Sequence, residues 1–149
     1  MTHQQRLSIR EVDPGAYTAV LALEKHVHSG PLEPELLELV KIRASQLNRC
    51  AWCLDMHTVD ARKIGVPQRK IDLIAAFDEA PSLFTERERA ALAFTEAVTL
   101  ISHDGVADDV WASVTASFTD QEAVSLLMAV AAINVWNRMN VAVRTALSD

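Results

Sequence analysis

Helix start and stop signals recur along the whole chain and constrain its fold more than any other feature. The segments "TERE" at residues 85–88 and "TDQE" at residues 119–122 fit the capping box, in which a Thr and a Glu bond each other's backbone N–H groups at a helix N-terminus. Pro14 and Pro34 occupy positions typical of a first helical residue, and Gly65 is placed like a helix terminator. No segment shows the period-2 alternation of a half-buried strand. The sequence therefore predicts an all-α fold.

These signals predict about six to seven helices. The predicted ranges are residues 14–29, 34–47, 49–64, 67–77, 86–101, 107–117 and 121–148. The second helix is expected to break at Asn48, with Asn48 as the N-cap of the next helix and Cys50 in its first turn. At 1.5 Å per residue the final helix is roughly 40 Å long, and its middle, "LLMAVAAI", is apolar nearly all round. Such a helix suits burial in the core or against another subunit. Because no linker, repeat or low-complexity tract divides the chain, residues 1–149 are predicted to form one domain.

Charge and hydropathy narrow the class of protein. Acidic residues outnumber basic ones, 20 to 14, and no cluster of Lys and Arg is present, which argues against a nucleic-acid partner and an anionic membrane surface. The longest apolar run, residues 126–133, is far shorter than the ~18 residues that span a bilayer. The N-terminal segment has no secretory signal pattern, so we expect a cytoplasmic protein. There, a close cysteine pair is expected to be catalytic or metal-binding rather than a structural disulfide.

The candidate site is the segment that holds both cysteines, "CAWCLDMH". On a helix, Cys50, Cys53 and His57 fall at positions i, i+3 and i+7 and project from one face. A thiol near a helix N-terminus has a lowered pKa, and its thiolate is a nucleophile. His57 can take a proton from the thiol directly or through a water, provided that a carboxylate from a neighbouring helix orients the imidazole.

Two other interpretations of the cysteine pair remain open. The thiols can be two small buried hydrophobic side chains. They can also bind zinc, but structural zinc sites are almost always four-coordinate, and Cys50, Cys53 and His57 supply three ligands with no second such motif elsewhere.

Residues 38–61, "ELVKIRASQLNRCAWCLDMHTVDA", resemble the core of the alkylhydroperoxidase AhpD and carboxymuconolactone decarboxylase family. Its redox-active members show a Glu, then Cys-x-x-Cys, then His at the same spacing. The stretches "ALAFTEAVT" and "AAINVWNRMNVA" are also similar to downstream helices of this family. The resemblance implies an AhpD-like helical bundle that assembles as a homotrimer or homohexamer.

The resemblance also implies a function and the residues that perform it. It implies a thiol-dependent peroxidase in which Cys53 attacks the peroxide and becomes a sulfenic acid, and Cys50 condenses with it to a disulfide. His57 and Glu38 relay protons. A lipoylated or thioredoxin-like protein is the expected reductant, and no metal, flavin, haem or nucleotide cofactor is implied. Outside this resemblance, Glu38 would be interpreted as a solvated residue paired with Lys41.

The segment departs from the family pattern at two positions. Arg49 stands where many members have Gly and adds positive charge beside Cys50. Trp52 stands where some have His or Tyr, which removes a proton carrier and makes the pocket mouth bulkier. Elsewhere, Trp136 and Asn137 are expected to be interface or core anchors, and His28 a surface or helix-capping residue.

Two functions from other classes compete with the peroxidase. One is a redox-sensing protein whose disulfide changes its assembly without turnover. The other is a non-redox enzyme of the decarboxylase type, with His57 and Glu38 as acid and base.

Overall fold

The computed structural model describes residues 3–147, and this part of the chain contains helices and no strand. Nine α-helices and one 3-10 helix follow each other along it. They are α1 Ile9–Val12, α2 Pro14–His28, α3 Pro34–Leu47, α4 Ala51–Lys63, α5 Gln68–Asp72, the 3-10 helix Ile74–Glu79, α6 Glu86–Thr99, α7 Ile101–Asp104, α8 Asp108–Ser117 and α9 Asp120–Val143. The predicted all-α class is confirmed.

Side-chain caps fix the starts of four helices, among them α1, where the Ser8 hydroxyl accepts a hydrogen bond from the Glu11 N–H at 3.4 Å. Thr85 accepts a hydrogen bond from the Glu88 N–H at 3.1 Å, and the Glu88 carboxylate accepts one from the Thr85 N–H at 2.9 Å. Thr119 and Glu122 make the same pair of bonds at 3.2 and 2.9 Å. Asp13 caps α2 through its carboxylate. Both predicted capping boxes are thus confirmed, and each cap contributes on the order of 1 kcal/mol to helix stability.

Helix α3 lies at the centre of the bundle and packs against α4, α6 and α9. One large apolar cluster joins α3 to α6, α8 and α9, and a second joins α3 to α4, α5 and the 3-10 helix. A third, small cluster consists of Ala44, Cys50, Cys53 and Ile133, with Trp52 and Trp136 packed against it. The cysteines therefore lie where α3, α4 and α9 meet.

Helix α9 is shorter than predicted. It ends at Val143 because Arg144 adopts the left-handed conformation, with φ 56° and ψ 53°, so the prediction that it runs to residue 148 is wrong. Residue 148 itself lies outside the described residues. By length and composition α9 is apolar enough to cross a membrane, and 33% of its most apolar window is buried. In the bundle it packs against α2, α3 and α6.

The number of helices is higher than predicted. The range 67–77 holds two elements rather than one, since the chain leaves α5 at Leu73 and continues as the 3-10 helix, in which Ala76 is non-helical at φ −125°. Helices α1 and α7 have four residues each, too few to show a helical period in the sequence. Six helices are ten residues or longer, α2, α3, α4, α6, α8 and α9.

Candidate active site

The turn between α3 and α4 sets the position of the cysteines. Asn48 caps the end of α3, and Arg49 turns the chain with a positive φ of 55°. Cys50 is then the N-cap of α4, and Cys53 lies in the first turn of that helix. The predicted boundary is therefore wrong by two residues: Asn48 ends one helix instead of starting the next, and Cys50 precedes the first turn. Both thiols still lie at the N-terminal end of a helix.

Both thiols are buried and free. Cys50 and Cys53 are each 0% exposed, and neither forms a disulfide. The pKa of Cys50 is lowered to about 6, chiefly because the Cys53 thiol donates a hydrogen bond to its sulfur, with help from the Asn137 amide. The pKa of Cys53 is raised far above its ordinary range because Cys50 holds its proton and because the sulfur is buried. The pair thus shares one proton, and the resting negative charge lies on Cys50.

Helix α9 supplies three asparagines around the thiols. Asn140 Nδ2 donates to Cys53 Sγ at 3.6 Å. Asn137, 0% exposed, donates to Ser45 Oγ at 2.9 Å, and its Oδ1 accepts from Asn48 Nδ2 at 2.9 Å. Asn134 accepts from the same Asn48 amide at 2.9 Å. Asn140 thus contacts the Cys53 thiol directly, whereas Asn134 and Asn137 hold Asn48, in the turn that precedes Cys50.

Sequence reasoning did not single out Asn140 and interpreted Asn137 as an interface or core anchor. The available signal was three asparagines spaced by three residues in an otherwise apolar helix.

Glu38 and His57 meet across the interface of α3 and α4. Glu38 Oε2 lies 2.8 Å from His57 Nδ1, and the two residues are 7% and 6% exposed. Because an ionised carboxylate only accepts hydrogen bonds, Nδ1 carries the proton and Nε2 is the nitrogen left to exchange protons. Within residues 3–147, no hydrogen bond joins His57 to either thiol. Proton transfer between them therefore needs an intervening water or substrate.

A cavity of about 260 Å³ opens beside this dyad, and we call it the His57 cavity. Its wall is largely apolar, with Tyr17, Trp52, Met56 and Trp136. Glu38 and His57 line it, whereas neither cysteine does. The cavity thus gives a ligand access to the acid–base pair.

The same cavity contains a second charged group that the sequence did not reveal. Lys41 is 1% exposed and forms an ion pair with Glu24 of α2; its Nζ also lies 2.7 Å from His28 Nε2. Trp136 Nε1 donates to the other Glu24 oxygen at 3.2 Å. Burial of Glu24 would raise its pKa, but the Lys41 ammonium outweighs this, and the pKa lies below its ordinary value. Lys41 is therefore paired with Glu24. In the described part of the chain it forms no ion pair with Glu38, whose partner is His57.

Residues that could bind a metal are not grouped for it. Within residues 3–147, no set of three or more His, Cys, Asp or Glu side chains is arranged to hold a metal ion. Glu38 occupies one nitrogen of His57, and the Cys53 thiol donates a hydrogen bond to the Cys50 sulfur.

An all-α bundle with a buried Cys-x-x-Cys pair, a His–Glu dyad and a cavity at one helix junction defines the AhpD-like class of proteins. The model of the carboxymuconolactone decarboxylase family matches residues 14–97, more than half of the chain, and the chain belongs to this family. The resemblance found in the sequence is thereby confirmed.

Two relatives match nearly the whole chain. The uncharacterised protein YdfG of Bacillus subtilis is 36% identical over 138 residues, which cover 93% of each chain. A crystal structure from Agrobacterium tumefaciens, of a protein of unknown function described as a candidate antioxidant defence protein AhpD, is 39% identical. It has a TM-score of 0.95 over 98% of this chain and 99% of that one.

A more distant structure shares the fold. The debrominase Bmp8, solved in complex with 2,3,4-tribromopyrrole, is 20% identical and has a TM-score of 0.82 over 93% of this chain and 73% of its own. At this identity the likeness shows the fold alone.

Proposed function

We propose that this protein is a thiol-dependent peroxidase that reduces hydrogen peroxide or organic hydroperoxides and acts in antioxidant defence. The observation that carries the proposal is the packing of two buried, free thiols, Cys50 and Cys53, at the start of α4, the helix whose His57 forms a buried pair with Glu38. A thiol pair that already holds one negative charge can supply both the nucleophile and the resolving thiol of a peroxide reduction.

The first step accounts for the resting charge on Cys50. As the Cys53 sulfur attacks the distal peroxide oxygen, its proton moves along the existing S–H···S hydrogen bond to Cys50. The O–O bond breaks and Cys53 becomes a sulfenic acid. The departing alkoxide or hydroxide takes up a proton and leaves as alcohol or water. His57 can supply that proton through Nε2 when it is charged, because Glu38 stabilises the imidazolium.

The second step closes the disulfide. The Cys50 sulfur attacks the sulfenic sulfur of Cys53, its proton passes to His57 or to the departing hydroxide, and water leaves. The sum is two thiols and one hydroperoxide giving one disulfide, one alcohol and one water. A lipoylated or thioredoxin-like protein then returns two electrons. We place this cycle in the cytoplasm, where such reductants keep thiols reduced.

An oligomer is part of the proposal. Val124, Leu127 and Val135 are 61%, 42% and 36% exposed along one side of α9. This apolar stripe supports a homotrimer or homohexamer in which α9 packs against another subunit.

The test is to treat the reduced protein with one equivalent of cumene hydroperoxide, count thiols and trap sulfenic acid with dimedone. We expect loss of both thiols in the wild type. In Cys50→Ser a trapped sulfenic acid should form on Cys53, and Cys53→Ser should lose turnover with dihydrolipoamide. Survival of both thiols, or full turnover by Cys53→Ser, would falsify the proposal. Disulfide formation without turnover would favour the redox-sensing alternative.

One observation favours a second function. Glu38 and His57 line the His57 cavity and the cysteines do not, so acid–base chemistry on a lactone-like substrate is available there without thiols. Such an activity would survive Cys50→Ser/Cys53→Ser and be lost in His57→Gln.

A further inference from the structure

A second cavity reaches the thiol pair from another direction. It has a volume of about 170 Å³, and its wall includes Cys50, Trp52, Asn140 and Thr145. We call it the Cys50 cavity. Cys53 does not line it, and neither do His57 or Glu38. Of the two cysteines, Cys50 is therefore the one that adjoins this cavity, and its side chain, 0% exposed, lies just beneath the wall.

Two arginines flank the Cys50 cavity, and both have unusual backbone conformations. Arg49 and Arg144 lie in its wall with φ values of 55° and 56°. They are the two non-glycine residues with positive φ in the described part of the chain. Such strain persists where the surrounding structure enforces it and is concentrated at functional sites. Arg49 arises between α3 and α4 and Arg144 at the end of α9, so two separate turns bring positive charge to one opening.

The charge of this opening differs from that of the His57 cavity. Glu24, Glu38 and Asp60 line the His57 cavity, whereas no described residue in the wall of the Cys50 cavity is acidic. Within residues 3–147, neither Arg49 nor Arg144 forms an ion pair. The chain as a whole carries a net charge of −6, so this local positive charge runs against its overall balance.

We infer that the Cys50 cavity admits the reductant of the Cys50–Cys53 disulfide, and that this reductant is a small thiol bearing a carboxylate. The inference rests on the proposed function for the existence of the disulfide, and it adds a small anionic thiol to the electron donors named there. Guanidinium groups suit carboxylates because they donate paired hydrogen bonds to them.

The reduction proceeds by thiol–disulfide exchange. The incoming thiolate attacks Cys50 Sγ, the Cys50–Cys53 bond breaks, and the electron pair goes to Cys53 Sγ, which takes a proton. A second thiolate attacks the outer sulfur of the mixed disulfide and releases Cys50 as thiolate. Two small thiols thus become one small disulfide while the protein regains two thiols. A lower pKa would make Cys50 the better leaving group, but Cys50 adjoins the cavity and Cys53 does not, and this proximity favours attack on Cys50.

The test uses the disulfide prepared with diamide, so that it is independent of peroxide. Reduction rates are measured for 3-mercaptopropionate, its uncharged amide 3-mercaptopropionamide, and cationic cysteamine, each at equal thiolate concentration. We expect the anionic thiol to reduce the disulfide fastest, the neutral amide more slowly and the cationic thiol slowest. The advantage of the anionic thiol should shrink as salt is added. In Arg49→Gln/Arg144→Gln the reduction rate with the anionic thiol should fall about two- to fivefold per arginine, which is the range expected for exposed charge pairs.

The controls distinguish an effect of charge at the Cys50 cavity from an effect of overall charge or of misfolding. Arg62→Gln/Arg69→Gln removes the same charge from exposed positions on α4 and α5 and should leave the rate order unchanged. The neutral amide should reduce all variants equally, which also shows that they are folded. Equal rates for the three thiols, or an equal loss for all three in the Arg49/Arg144 variant, would overturn the inference.

A trapping experiment tests the sulfur that is attacked. With 3,3′-dithiodipropionate, Cys53→Ser should form a mixed disulfide on Cys50, detected by mass spectrometry, and Cys50→Ser should stay unlabelled. Labelling of Cys53 alone would contradict the proposed approach. If diamide forms the disulfide and peroxide does not, the peroxidase proposal fails while the rate order of the thiols still decides the role of the cavity.

Discussion

Asn140, from the last turns of α9, donates a hydrogen bond to the sulfur of Cys53, at the start of α4, across 3.6 Å. The two residues are 87 positions apart in the chain. The amide acts against the other influences on this thiol, since it lowers the Cys53 pKa while Cys50 and burial raise it. In the proposed mechanism, Asn140 would therefore stabilise the negative charge that Cys53 develops during attack.

Replacing Asn140 by Leu removes this donor. We expect the rate of peroxide reaction to fall about ten- to a hundredfold, the effect of losing one hydrogen bond to a charged group. Stopped-flow tryptophan fluorescence after mixing with cumene hydroperoxide measures it. Arg138→Leu, two residues away and exposed, is the control. An unchanged rate in Asn140→Leu would show that the contact is structural only.

Glu38→Gln leaves the shape of the dyad and removes its charge. Because the carboxylate fixes the His57 tautomer and supports its positive charge, kcat/KM should fall by about tenfold or more. Glu35→Gln, exposed in the first turn of α3, should keep wild-type kinetics. If both variants behaved alike, Glu38 would have no part in the reaction.

The lowered pKa of Cys50 predicts a pH-dependent reactivity. The alkylation rate with iodoacetamide should rise with a midpoint near the Cys50 pKa of about 6 rather than near the ordinary thiol value. The measurement is loss of reactive thiol by mass spectrometry across the pH range. Cys53→Ala removes the hydrogen-bond donor and should shift the midpoint upward. A midpoint unchanged in Cys53→Ala would contradict the shared proton.

The same shift predicts how stability depends on pH. In the unfolded chain the Cys50 thiol titrates near 8.5, so the folded state binds fewer protons between that value and its own pKa. The stabilisation from Cys50 is fully present above the unfolded pKa and is lost as the pH falls through about 6. Urea unfolding of the reduced protein at about pH 5 and about pH 8 measures it. In Cys50→Ser the free energy of unfolding should differ less between these two pH values.

Lys41→Met tests the buried ion pair of the His57 cavity. It leaves Glu24 without its cation in a largely buried position, and we expect a loss of about 3 kcal/mol in the free energy of unfolding. Adding Glu24→Gln should recover part of that loss, because the uncompensated charge is then gone. Denaturant unfolding of both single variants and the double variant measures the coupling. Additive losses would mean that the pair contributes nothing as a pair.

Arg49→Gly relieves a left-handed backbone. We expect the free energy of unfolding to increase by about 1 kcal/mol, since Gly adopts positive φ without the Cβ clash. Arg49→Ala is the matched control: it also removes the side chain but keeps the clash, and it should give no gain. A gain in Arg49→Ala of the same size would assign the effect to the guanidinium rather than to the backbone.

Local sequence signals predicted most of the helices and failed at two particular residues. The capping boxes at Thr85 and Thr119 are encoded by neighbouring side chains, and both were predicted. The predicted start of α4 and the predicted end of α9 are wrong because Arg49 and Arg144 turn the chain with positive φ. Glycine would have marked both turns, whereas arginine gives no such signal.

The candidate site also combines residues that the sequence predicted with contacts that it did not predict. Cys50, Cys53 and His57 are close in sequence, and the spacing of Glu38 came from the family resemblance. The contacts of Lys41 with Glu24 and His28, and the asparagines of α9, depend on how separate helices pack. No periodicity within one helix predicts which polar residue of another will face it.

The asparagines of α9 also bear on how the protein is made. The two cysteines are synthesised early in the chain, whereas Asn137 and Asn140, which bond to them or to their support, come from the last helix. During synthesis the thiols therefore remain outside their final environment until α9 has emerged and docked onto α3 and α4. We expect a nascent or C-terminally truncated chain to carry two ordinary thiols, so that reactivity toward peroxide appears only with the completed fold.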